Sequence, residues 1–216
     1  WHRFICSRWG VLRYGLELLL IVVWALVIGR VMLNRDPLTL NTGGDNVSAY
    51  GRFFWDHLKS CGTCALWSGQ ARGGNPVYID PNSDTFHPAV AIPALLLGTL
   101  QGFKATIVLC MIMGGLACWW LALELGTGAV ARVAAGFMGS AGGYLTGRSI
   151  QGLVVAMTSL AAAAFLLAAL FRLQRLPTRR SAALLAIVIG QLIVAGQGYV
   201  QIGMVLLSPI FLLLLV

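Results

Sequence analysis

Apolar runs of spanning length recur along the chain and are interrupted by one long polar stretch, from Gly43 to Pro88. The first run, Leu16 to Leu33, is long enough for a membrane-spanning helix. It follows Arg3, Arg8 and Arg13 as the apolar core of a signal peptide would, but it is longer than such a core and ends without a small-x-small cleavage site. It therefore reads as a retained span. Ala89 to Leu100 is too short for a crossing and carries Pro93, which suits a re-entrant or interfacial helix. Further spans are predicted over Phe103 to Glu124, Val130 to Leu145 and Gly152 to Phe171. From Ser181 to Val216 the pattern is broken at Gly196 to Gln201, as two short spans meeting at a turn or one bent helix.

Within the polar stretch, Val47, Tyr50, Phe54 and Leu58 recur at helical spacing. They predict a juxtamembrane amphipathic helix from Asn46 to about Lys59, with Arg52 and Asp56 as an i, i+4 pair on its other face. The expected fold is an all-α, polytopic transmembrane bundle, one domain over residues 1–216. Its first span covers residues 16–33, an extracytoplasmic loop with juxtamembrane and re-entrant helices residues 34–102, and further spans residues 103–216.

Composition sharpens this picture. With 58% hydrophobic and 10% charged residues and a mean hydropathy of +0.83, a soluble domain is excluded. The net charge of +8 is scattered and sits mostly at the ends of apolar runs, which argues against nucleic acid as a partner and for topology. Arg3, Arg8 and Arg13, with the cluster Arg172, Arg175, Arg179 and Arg180, belong inside. The loops near Asp45, Arg148 and Gln197 then lie outside. A chain opening on Trp1 and ending inside an apolar run is expected to be a fragment of a longer protein. Glycines and alanines such as Ala135, Gly136, Gly139 and Gly142 read as helix-packing positions.

The polar stretch holds four of the seven acidic residues and two of the three histidines, so the chemistry is expected there. Asp45 follows a glycine pair and reads either as the N-cap of the Asn46 helix or as a catalytic carboxylate. Trp55 and Trp67 suit sugar stacking or interfacial anchoring. Asp80, Asp84 and His87 raise a divalent-metal reading, but the spacing matches no dedicated metal loop, and Asp80-Pro81-Asn82-Ser83 reads as well as a turn. Cys61-Gly62-Thr63-Cys64 is read as a local disulfide ahead of a zinc site with His57. Arg148, a cation on the outer side, suits an anionic phosphate or lipid headgroups. Gln197 and Gln201 suit a sugar hydroxyl or the open backbone of a broken helix. Ionisable residues in the apolar runs are placed only at span ends, at Arg30 and Glu124, which speaks against a transporter.

Gly44-Asp45, Trp67, Gly73-Gly74-x-Pro76, Asp80-Pro81 and Phe86-x-Pro88, followed by Leu125-Gly126, Gly142-Gly143-Tyr144 and Ala195-Gly196-Gln197, are similar in order to the YfhO-like bacterial membrane proteins of the GT-C glycosyltransferase class. The resemblance implies a multi-pass protein of the bacterial inner membrane with its active face outside. It implies inverting transfer of a sugar from a polyprenyl-phosphate donor to a cell-envelope acceptor, with Asp45 as base. Arg52, Trp67, Gly73, Gly74, Asp80, His87, Arg148 and Gln197 are then candidate donor- or acceptor-binding residues, with no cofactor called for. One carboxylate suffices for this chemistry. The leaving phosphate needs charge stabilisation, not protonation, whereas a glycosidase needs two facing carboxylates. The alternatives are a transporter or flippase, or a non-catalytic membrane assembly protein.

Overall fold

The computed structural model describes residues 8–34, 46–68, 75–76, 83–150 and 153–214. Helix α1, Arg8–Ile28, runs into a 3-10 turn, Gly29–Leu33. Helix α2, Asn46–Cys61, is followed by a second 3-10 turn, Gly62–Leu66. Two-residue strands β1, Trp67–Ser68, and β2, Asn75–Pro76, pair antiparallel with Trp67 opposite Pro76. The rest of the described chain is helical: α3 Pro88–Glu124, α4 Ala129–Ala141, α5 Gly143–Ile150, α6 Val154–Arg175, α7 Arg179–Val194 and α8 Gly198–Leu214. Among the described residues, three segments are long and apolar enough to cross a membrane: Gly10–Leu33, Pro88–Glu124 and Val154–Arg175.

As one rod, the 37 residues of α3 would reach about 55 Å, well beyond the hydrocarbon thickness of about 30 Å. They are not one rod. Gly98 takes φ 74° and ψ 177°, a conformation essentially reserved for glycine, and the chain folds back on itself there. A Cβ on Gly102 would lie 2.8 Å from the Ala94 backbone, which a continuous helix would hold more than two turns away. The segment before Gly98 is therefore a short helix packed along the start of the long one. Helix α2 rests on this fold-back: the Asp56 carboxylate accepts from the Thr99 backbone N–H at 3.2 Å, and Lys59 Nζ donates to the Leu95 carbonyl at 2.9 Å.

The single span expected over Val130 to Leu145 is instead two helices, α4 and α5, broken at Gly142, which takes extended backbone with ψ 144°. A glycine pair is the weakest helix former available apart from proline, and the periodic pattern passes through it without showing the break. Over residues 181–216 the chain forms two helices, α7 and α8, joined by a turn in which Gly196 adopts φ 86°.

Helix α3 is the spine, packed on both α4 and α6. Its contact with α4 is backbone on backbone. A Cβ on Gly114 would lie 2.7 Å from the Gly139 carbonyl, and one on Gly139 2.6 Å from that of Gly114. Such glycines let membrane helices approach without side-chain interference. One core joins Ala25, Phe103, Ile107, Met111, Leu145 and Met157; a second joins Leu166, Leu170, Val188, Leu192 and Ala195.

Charge inside the bundle corrects the expectation that ionisable groups occupy only span ends. Glu17 and Arg132 are buried and form a bidentate pair, at 2.6 Å from the terminal guanidinium nitrogen and 2.8 Å from Nε. Trp119 Nε1 adds a bond to Glu17 at 2.9 Å, and Arg132 also donates to the Thr127 carbonyl at 2.7 Å. The Tyr14 ring lies 5.3 Å from the guanidinium carbon of Arg132. The neighbouring Trp120 donates to Glu124, which pairs with Arg172 at 3.0 Å. Buried Lys104 donates to the Asn34 carbonyl at 2.6 Å. Each of these charges is held by named partners, as burial in an apolar bundle requires.

Candidate functional site

The short segment Ser83 to His87, at the mouth of α3, is polar and yet buried: Asp84, Thr85 and His87 are each 0% exposed. His87 caps the helix. Its backbone is extended, its Nδ1 accepts from the Ala89 N–H at 3.2 Å, and Pro88 takes the first helical position, where no N–H is needed. The His87 N–H returns to the Asp84 carbonyl at 2.9 Å, closing a turn. Ser83 and Thr85 share a hydroxyl–hydroxyl bond. Trp55 of α2 donates from Nε1 to the Thr85 carbonyl at 3.0 Å, and Phe54, Trp55 and Phe86 form an edge-to-face aromatic cluster over the segment.

The turn between α7 and α8 covers the segment from the other side. A Cβ on Gly196 would overlap the Ser83 carbonyl and lie 2.8 Å from the Asp84 nitrogen, so only glycine allows this approach, and its positive φ demands glycine independently. Helix α6 anchors the turn: Thr158 and Ser159 hydroxyls donate to the Ala195 carbonyl at 3.0 and 3.2 Å, and the Gln197 N–H donates to Ser159 Oγ at 3.2 Å. The result is a buried polar chamber in which residues 83–87, 158–159 and 195–197 meet.

His87 Nε2 and Gln197 Oε1 are buried there without a hydrogen-bond partner among the described residues. Because Nδ1 accepts in the cap, the ring hydrogen of neutral His87 sits on Nε2. Burial pushes the His87 pKa down to about 4, so the ring is neutral at pH 7. The chamber thus holds a buried N–H donor and a buried carbonyl acceptor, each of which can bond a hydroxyl group. Buried polar atoms without partners are costly, and at a functional site a ligand can supply the missing bond.

Of the residues singled out from the sequence, the structure brings Asp84, His87 and Gln197 to this chamber. Asp45, Gly73, Gly74 and Asp80 lie outside the described residues, as does Arg3. Arg52 is on α2, with its side chain outside the description. Asp56, expected to pair with Arg52, caps the limb beginning at Thr99. Trp67 opens β1 with its side chain 59% exposed. Arg148, on α5, stacks its guanidinium over the Tyr144 ring at 4.9 Å. Gln201 donates to the Leu192 and Ile193 carbonyls at 3.0 and 2.8 Å, satisfying backbone left open where α7 ends. Cys61 and Cys64 are disulfide-bonded, with Cα atoms 5.7 Å apart. Among the described residues no three His, Cys, Asp or Glu side chains gather to hold a metal ion.

Sequence reasoning missed Thr85, Thr158 and Ser159. The available signal was the adjacent Thr158-Ser159 pair inside an otherwise apolar run; hydroxyls there bond back to their own helix or to a neighbour's open carbonyl. No protein-family model matches the chain, and neither a curated protein nor a solved structure does.

Proposed function

We propose that the protein is a membrane glycosyltransferase of the bacterial inner membrane. It moves a sugar from a polyprenyl-phosphate donor to an extracytoplasmic acceptor with inversion at the anomeric carbon. Asp45 is the base that takes the proton from the acceptor hydroxyl as that oxygen attacks; the carbon–oxygen bond to phosphate breaks, and the phosphate leaves with the electron pair. His87 Nε2–H and Gln197 Oε1 hold hydroxyl groups of the sugar. The observation that carries this reading is the convergence of His87 and Gln197 on one buried chamber, each with a hydrogen-bonding atom left open among the described residues. Positioning by such groups is what a transferase without a protonating acid relies on.

The test is transfer by the full-length protein in membranes, with a polyprenyl-phosphate sugar and a cell-envelope acceptor. His87→Asn keeps the helix cap but moves the donor, and it is expected to lower transfer about tenfold or more, the cost of one misplaced hydrogen bond at a reacting sugar. Unchanged transfer in that variant would remove the chamber from the mechanism.

A transporter remains the second reading, favoured by the ionisable groups buried inside the bundle at Glu17, Lys104 and Arg132. Glu17 and Arg132, however, are saturated by each other and by Trp119 and Thr127. A closed, bidentate pair suits a structural clamp better than a site that must bind and release cargo.

A further inference from the structure

Between α3, α4 and α6 runs an apolar groove of about 600 Å³, lined by Gly114, Cys118, Ala135, Gly139, Tyr144 and Ala164 among others. Its floor is backbone where Gly114 and Gly139 touch, and its rim is open: Met138 is 74% exposed, Tyr144 51% and Leu125 50%. An apolar trough of this kind facing hydrocarbon does not stay empty, and its lining is overwhelmingly apolar, with little to attract water. At the α5 end the groove finishes at Tyr144, on whose ring the Arg148 guanidinium is stacked. Guanidinium on an aromatic face is planar and held in orientation, the geometry that recognises phosphate oxygens.

We infer that the groove is a binding site for an anionic phospholipid, with one acyl chain in the trough and the headgroup phosphate at Arg148. Chemistry selects this occupant: the trough is apolar and open to hydrocarbon along its side, and the cation stacked on Tyr144 matches the single phosphate charge of a headgroup. The site is separate from the chamber, does not depend on glycosyl transfer, and gives Arg148 a lipid phosphate other than that of a sugar donor.

The experiment uses the full chain in nanodiscs of equal phosphatidylglycerol and phosphatidylcholine with matched chains, extracted into mild detergent and weighed by native mass spectrometry. One retained phospholipid per protein is expected, with phosphatidylglycerol favoured about tenfold, the effect of one charge-assisted contact. Arg148→Gln brings that ratio close to one without lowering total retention, and Arg148→Lys keeps most of it. Ala135→Leu with Ala164→Leu fills the trough and lowers retention of both lipids. In the unaltered protein, phosphatidylglycerol carrying a photoreactive group in its acyl chain crosslinks to groove residues of α3, α4 or α6. The inference is overturned if Arg148→Gln leaves the ratio unchanged or if crosslinks fall only outside the groove. Preferential capture of an isoprenoid phosphate added in equal amount, or a dimer of the chain that the filled variant abolishes, overturns it as well.

Discussion

Arg132 and Glu17, 115 residues apart, meet in a two-pronged ion pair that fastens α4 to α1 inside the apolar bundle. Removing Glu17 leaves the Arg132 charge buried without a carboxylate, which costs about 3–5 kcal/mol, and removing Arg132 leaves Glu17 only the longer pair with exposed Arg13 at 3.3 Å. Glu17→Gln or Arg132→Met is therefore expected to lower the unfolding midpoint in detergent sharply. The double variant Glu17→Leu, Arg132→Leu recovers much of the loss, because no isolated charge remains. Equal loss in single and double variants would assign the stability to packing alone.

The burial of His87 makes stability pH-dependent. Its pKa is about 4 in the folded chain against an ordinary value of 6.5, so below 6.5 the unfolded state takes up a proton that the folded state refuses. The contribution is full above pH 6.5, is lost progressively as pH falls towards 4, and is constant below that. The full span amounts to roughly 3 kcal/mol. His87→Asn, an uncharged cap, should flatten this part of the profile. Chemical denaturation at pH 7.5, 5.5 and 4 compares the two proteins, and parallel profiles would contradict the assignment.

Gly196 is expected to tolerate no side chain. Gly196→Ala meets the Ser83 carbonyl as well as an unfavourable positive φ, whereas Gly190→Ala enters open space on the neighbouring helix. The first should cost about 1–3 kcal/mol or more and the second close to nothing beyond helix propensity. Thermal unfolding of both, alongside the parent, gives the comparison. Similar midpoints for the two variants would mean that the turn does not pack on Ser83.

Much of the helical layout was legible because apolar runs of spanning length report burial in lipid directly. The short run before Gly98, with Pro93, signalled a segment distinct from the helix that follows, and the Gly196 turn was visible as a polar break. The Glu17–Arg132 clamp was not, because Glu17 lies at the start of its run and reads as part of the Arg13 flank. Its partner is defined only by the packing of α1 on α4. Likewise nothing in the residue pattern from Ser83 to His87 marks that segment as buried. It becomes a buried chamber only when the Gly196 turn and the Trp55 indole close over it. Lys104, at the start of a span, hid its burial in the same way.

Cys61 and Cys64 are expected to be blocked to alkylation until a reductant is added, with both thiols appearing together on reduction. Mass spectrometry of alkylated protein reads this out. Labelling of both before reduction would contradict the disulfide.

The most direct measurement for the proposed function is the transfer rate of the Asp45→Asn full-length protein, inserted in membranes with a polyprenyl-phosphate sugar and acceptor. Asparagine caps a helix about as well as aspartate but cannot take a proton, so the substitution separates the two roles open to Asp45. Loss of transfer by about 10² to 10⁴ with normal insertion is the predicted result. Near-normal transfer would leave Asp45 as a helix cap and contradict its role as base.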